Sequence, residues 1–218
     1  MSRDRLSRPG EPQFSVGEEI ANSITHGVGA VLSLAGLAAL LVIGALRGGA
    51  ARIASFSIYG TTLVLLHLAS TLYHALVPPK AKRVFRILDH AAIYLVIAGT
   101  YTPFAVLGVS KPMGWIVLGS IWAVAITGVT LKSVFIGRFA VMSTAAYVLM
   151  GWAGVPMIRD LYRTLPSAAI AWLIGGGVAY TLGVVFYAWK RLPFAHMVWH
   201  LWVLAGACCH FVAVLTYL

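Results

Sequence analysis

The chain has 218 residues, of which 60% are hydrophobic and only 10% charged, with a formal net charge of +10. Soluble globular chains carry about 25% charged residues, so this composition excludes a water-covered globule. Nucleic-acid binding is excluded by where the cations fall, which is a topological pattern set out below.

Met1–Gly17 is polar and basic, with Arg3, Arg5, Arg8, Pro9 and Pro12, and reads as a short cytoplasmic tail. No apolar core follows its arginines closely enough for a signal peptide, because Glu18 and Glu19 intervene. Residues 18–218 read as one membrane domain. The gaps between successive Asp, Glu, Lys and Arg residues define seven charge-free stretches: Ile20–Leu46, Ile53–Pro79, His90–Ser110, Pro112–Leu131, Phe139–Ile158, Thr164–Trp189 and Leu192–Leu218. Each is at least 20 residues long, the length that carries a helix across a ~30 Å hydrocarbon core. Backbone groups in lipid must bond internally, and the runs are continuous rather than alternating, so helices are expected and a barrel is not.

The expected fold class is therefore all-α, an integral membrane bundle of seven transmembrane helices. Orientation follows from the basic residues. With the N-terminus inside, the cytoplasmic segments hold eleven Lys and Arg and the opposite side five, as the positive-inside rule requires. The C-terminus is then outside and the expected location is the bacterial inner (plasma) membrane. This orientation is opposite to that of G-protein-coupled receptors. No lysine lies within helix seven to carry a retinal Schiff base. Pro103 and Pro156 fall inside helices three and five and are expected to kink them. Trp115, Trp152 and Trp189 lie near expected helix ends, where aromatic belts form. Gly175–Gly177 lets neighbouring helices approach, and Cys208 and Cys209 read as small packing residues rather than a disulfide.

With charge so scarce, each polar residue in a span needs a reason. Glu19, Asn22 and His26 share one face at the start of helix one. Ser70 and His74 share a face at the end of helix two, with His67 further along the same stripe. Asp89 and His90 open helix three, and His196 and His200 open helix seven. These four groups are expected in one layer at the cytoplasmic side. Imidazoles converging with a carboxylate suggest a metal, and zinc is the natural candidate. His196 and His200 form a two-toothed claw on one helix face, and His74 could be the third ligand. Asp89 could orient or deprotonate a water, or brace a ligand; Ser70 could hydrogen-bond a ligand or a substrate carbonyl. Glu19, Asn22 and His26 read as capping and locking helix one, or as supporting the ligands. His210 lies about 15 Å beyond His200 along the helix and His67 about 10 Å from His74, so both read as structural, His210 through an interhelical hydrogen bond. Glu18 reads as solvated.

Glu19-x-x-Asn22-x-x-x-His26, Ser70-x-x-x-His74, Asp89-His90-x-x-Ile93-Tyr94, Gly99–Pro103 and His196-x-x-x-His200 together resemble the haemolysin III family, the bacterial branch of the progestin and adiponectin receptor family. The resemblance spans nearly the whole chain. It implies a zinc site on the cytoplasmic side, with His74, His196 and His200 as ligands, Asp89 holding the zinc-bound water and Ser70 beside the site. The chain lacks the long N-terminal domain of the animal receptors, so a protein hormone is not an expected partner. Three functions compete: a zinc-dependent hydrolase of a membrane lipid amide or ester, a cytolytic or channel-forming protein, and a non-enzymatic sensor or regulator of membrane state.

Overall fold

The computed structural model describes residues 14–135 and 138–218, so most of the expected N-terminal tail, residues 1–13, lies outside the described residues. Helix α1 (Val16–Arg47) starts at a capping box: the Ser15 hydroxyl accepts from the Glu18 amide at 3.2 Å, and the Glu18 carboxylate accepts from the Ser15 amide at 2.8 Å. Val16 and Gly17, assigned to the tail by charge, are already helical. Two glycines with positive φ, Gly48 at 76° and Gly49 at 96°, turn the chain into α2 (Ala50–Ala75), a region other residues rarely occupy. Pro79 at the first helical position opens α3 (Pro79–Leu107), where its missing N–H costs nothing. Then come α4 (Lys111–Val134), α5 (Ala140–Trp152), a 3-10 turn at Val155–Met157, α6 (Ile158–Thr164), α7 (Ser167–Ala188) and α8 (Ala195–Tyr217).

Seven spans result, because α5, the turn and α6 together form the fifth, Ala140–Thr164. All seven are long and apolar enough to cross a bilayer, and no strand occurs among the described residues. The expected disturbance at Pro156 is a full break: proline cannot donate the helical bond, and it sits in the 3-10 turn.

Two expectations need correction. Asp89 does not open helix three, since α3 begins at Pro79 and Asp89 lies ten residues in, about 15 Å along the axis. His26 is likewise ten residues into α1. Charge-free length marks the lipid-embedded part, but a helix continues into the polar interface, where charged side chains remain hydrated. The second correction concerns Trp152. It ends α5, but its indole N–H donates to Thr181 of α7 at 3.0 Å, in the middle of that helix, so it is an interhelical contact and not a belt residue. Trp115 and Trp189 are exposed near the ends of their spans, whereas Trp152, though 41% exposed, stands in the middle of the fifth.

In the bundle α1 packs on α2, α2 on α3, α3 on α4 and α7 on α8, and α1 meets α8 to close the ring, while α5 touches α3, α4 and α7 only lightly. Close approach has a local cause where it matters for the site. A Cβ at Gly29 of α1 would overlap the His67 ring and Leu204, so only glycine lets α2 bring His67 this near. Lys80, Lys82, Arg83, Arg86, Lys132, Arg138, Lys190 and Arg191 gather at the end of the bundle where α1, α3, α5 and α8 start; this is the basic end.

Candidate metal centre

At the basic end, the last turn of α2 and the first turns of α8 meet between the early turns of α1 and α3. His74 is the next-to-last residue of α2, His196 the second residue of α8, and His200 one turn later. One ring nitrogen from each lies within 4.8 Å of the other two. The ring centroids of His74 are 5.2 Å from both His196 and His200, and His196 and His200 are 4.5 Å apart. This is the grouping read from the i, i+4 pair plus the end of helix two.

The polar atoms around this group are buried and short of partners. His74 Nε2, His200 Nδ1, both nitrogens of His26, Asn22 Oδ1 and Ser70 Oγ all lack a hydrogen-bond partner. Native interiors pair nearly all buried polar groups, so six orphans in one small volume fit a site made for a ligand. Nitrogen donors at this spacing suit a zinc-type ion.

The remaining expected residues occupy distinct positions. Glu19 Oε2 lies 2.6 Å from His74 Nδ1, and Glu19 Oε1 lies 2.8 Å from Lys82 Nζ. Asn22 Nδ2 lies 3.5 Å from the same His74 nitrogen. The His26 ring lies on the His200 ring at 3.7 Å and meets the His67 ring edge-on at 5.1 Å. These three residues therefore face the histidine cluster rather than capping α1, which the Ser15–Glu18 box does. Asp89 Oδ2 is 3.3 Å from His90 Nδ1 and within electrostatic reach of His74 and His200. Ser70 is fully buried one turn before His74. His67 and His210 make the structural bonds expected of them: His67 Nδ1–H is shared by the Leu63 carbonyl and the Ser33 hydroxyl, both at 2.9 Å, and His210 Nε2–H donates to Leu173 of α7 at 3.1 Å.

A cavity of about 140 Å³ runs from this layer into the bundle between α3, α5, α7 and α8. Asp89, His196, His200 and His26 line its head; Ile93, Ile97, Val148, Val184 and Val203 line its body; His210 stands at its far end. His74 and Ser70 are not on its wall. The chamber is therefore mainly apolar along its length, with threonine and tyrosine side chains among the aliphatic ones, and its carboxylate and histidines gather at the head, with His90 beside Asp89, apart from His210.

Sequence reasoning missed four contributors. Glu18 is not simply solvated: besides the cap, its Oε1 accepts from the Phe194 amide at 3.2 Å, tying α1 to the start of α8. The Ser15-x-x-Glu18 signature was available to find the cap. Lys82 holds Glu19, and the Tyr147 hydroxyl donates to the His90 carbonyl at 3.0 Å; neither has a local signal. The Phe14 ring packs 4.8 Å from His196 and 5.6 Å from His74, screening the cluster from the basic end.

Comparison with known proteins agrees with this architecture. A family model described as haemolysin-III related matches residues 14–211. The chain is 45% identical to Hemolysin-3 of Bacillus cereus over 202 residues, covering 93% of this chain and 92% of the relative. It is 42% identical to a Hemolysin-3 homolog of Bacillus subtilis over 204 residues, 94% and 96% of the two chains. A human monocyte to macrophage differentiation factor is 30% identical over 167 residues, 74% and 69%. No solved structure matches. The bacterial relatives and the seven apolar helices fit a multipass protein of the bacterial inner membrane. The chain belongs to the haemolysin III family.

Proposed function

We propose that this haemolysin III family member binds zinc through His74, His196 and His200 and hydrolyses an amide or ester bond of a membrane lipid. The observation that carries the reading is the pairing of a three-imidazole cluster with an apolar chamber opening from it. One face of such a site suits a metal and the other an acyl chain. The basic end faces the cytoplasm in this reading, supported by the eleven-to-five distribution of Lys and Arg.

A bound zinc ion would polarise the carbonyl and lower the pKa of water toward ~7. The protein's own groups do the rest. The apolar wall of Ile93, Ile97, Val148, Val184 and Val203 holds the acyl chain and excludes bulk water. Asp89, at the head of the same chamber, takes the proton from the attacking water and returns it to the departing amine or alkoxide. The products are a fatty acid and an amine or alcohol. His90, beside Asp89 on α3, and the Tyr147 hydroxyl from α5, which donates to the His90 carbonyl, fix the Asp89 turn. Ser70, buried behind His74, supplies a hydroxyl to the ligand cluster.

The test is metal per chain by mass spectrometry on protein purified in mild detergent without chelator, beside a His196→Ala, His200→Ala double variant. The expected result is about one zinc per wild-type chain, lost in the variant, together with release of fatty acid from a lipid amide or ester library by wild type alone. Absence of stoichiometric metal from wild type would overturn the reading. The name of the Bacillus cereus relative carries a second one, membrane lysis. Current through planar bilayers containing the purified protein would favour it.

A further inference from the structure

One imidazole in the cluster directs a ring nitrogen at a carboxylate carried by another helix. His67, His90 and His210 each donate a ring N–H to a backbone carbonyl, of Leu63, Arg86 and Leu173 respectively, and the His90 nitrogen also lies 3.3 Å from the carboxylate of its chain neighbour Asp89. His74 instead directs Nδ1 at a carboxylate from another helix, Glu19 Oε2 of α1, at 2.6 Å. An ionised carboxylate can only accept, so Nδ1 carries the proton and donates. Glu19 is itself anchored. Its Oε1 receives Lys82 Nζ of α3 at 2.8 Å, and the same ammonium donates to the Tyr73 carbonyl of α2 at 3.0 Å. With Nδ1 committed, His74 keeps its lone pair on Nε2, the buried nitrogen without a partner.

We propose that Glu19 is a positioning residue of the metal centre: it fixes His74 as an Nε2 donor and sets a negative charge directly behind that ligand, with Lys82 holding the carboxylate in place. The inference deepens the zinc reading and rests on it. Three neutral imidazoles leave the full charge of a divalent ion uncompensated near hydrocarbon. Asp89 supplies one negative charge from the side of α3, and Glu19 supplies a second through the His74 ring. A carboxylate on the remote N–H also makes an imidazole more basic and fixes its orientation, and losing such a partner weakens metal binding by about 10- to 100-fold in other sites. The arrangement links three helices to one ligand, so the ring geometry exists before a metal arrives.

A purely structural tie between α1, α2 and α3 would use the same contacts, and the test separates the two. Zinc affinity of the full chain in detergent is measured by competition with a chelating dye, for wild type, Glu19→Gln and Glu19→Ala. Melting of the metal-free proteins and the visible spectrum after cobalt substitution are recorded alongside. Glutamine keeps an acceptor for the Nδ1–H and loses the charge; alanine loses both. The expected result is a graded loss, about tenfold for Glu19→Gln and up to about 100-fold for Glu19→Ala, with an altered cobalt spectrum in the alanine variant. If Glu19→Ala does not fold, Glu19→Gln decides alone. Variants that bind zinc as tightly as wild type, with only the metal-free melting point lowered, would overturn the positioning role and leave the proposed function standing. A wild-type chain that binds no zinc would overturn both.

Discussion

The α2–α3 side of the bundle and its fifth span are built on opposite rules. In α2 and α3, 56% and 61% of the most apolar stretch is buried inside the protein; in Ala140–Thr164 only 11% is. The first pair carries His67, Ser70, His74 and Asp89 and is crossed by side-chain bonds between helices. The fifth span is broken at Pro156, touches its neighbours lightly, and walls the cavity with Val148, Gly151 and Trp152. The difference teaches a division of labour. In the proposed reading ligand atoms must be held to within fractions of an ångström: His74 and Asp89 stand where packing is dense, and His196 and His200 reach them from Ala195–Tyr217, of whose apolar stretch 33% is buried. In the same reading an acyl chain needs room and a wall that yields, and the cavity lies along the sparsely packed fifth span.

Substitutions on the two sides should therefore fail in different ways. The largest effect is expected at Asp89. In the proposed reading Asp89→Asn keeps the size of the side chain and removes the base, so lipid turnover should fall by about 10²- to 10⁴-fold while metal content stays at the wild-type level. Loss of metal in this variant would move Asp89 from proton transfer to metal holding. Next come the glycines. A Cβ at Gly99 of α3 would overlap the Thr62 hydroxyl of α2, whereas one at Gly151 meets nothing within 4 Å. Gly99→Ala should destabilise the bundle by about 1–3 kcal/mol through overpacking. Gly151→Ala should be neutral or slightly stabilising, because alanine is the better helix former by about 1 kcal/mol. Thermal melting in detergent checks both signs, and equal losses would erase the contrast between the walls. Val148→Phe, which adds bulk to the chamber wall, should shift turnover toward shorter acyl chains with zinc content unchanged, read by comparing a chain-length series of substrates.

The same contrast explains what the sequence made legible. Seven spans follow from charge-free length because desolvating a charge is costly everywhere in lipid, whichever helix carries it. The histidine grouping follows from i, i+4 spacing and helix direction, which put His74, His196 and His200 at one end before any packing is known. What stayed hidden depended on particular neighbours. Glu19 reads as a capping residue by position, yet it serves His74 because α2 packs on α1 at that height and Lys82 reaches back from α3. The helix starts were misplaced for a simpler reason: Pro79 and the Ser15–Glu18 box set them, and charge counting ignores both. The chamber could not be read at all, since it arises from the light contacts of the broken fifth span.

Phe14 offers the smallest expected effect and a sharp distinction. Its ring covers His196 and His74 from the basic end, and it is held there because the next residue caps α1. Glu18, from the same cap, binds the Phe194 amide, and Phe194 adopts a left-handed conformation, φ 57°, at the entry to α8. The residues over the cluster are thus tied to the helix that carries two of its histidines. If Phe14 is a cover, Phe14→Ala should speed both loading and removal of zinc severalfold, measured with a chelator in stopped flow, and leave the equilibrium affinity unchanged, because a cover slows both directions alike. If the ring instead supports the ligand geometry, release should quicken without faster loading, and affinity should fall. The first result would make the basic end the route for metal and leave the chamber between α3, α5, α7 and α8 as the route for lipid, with the two approaches meeting at the histidines from opposite sides.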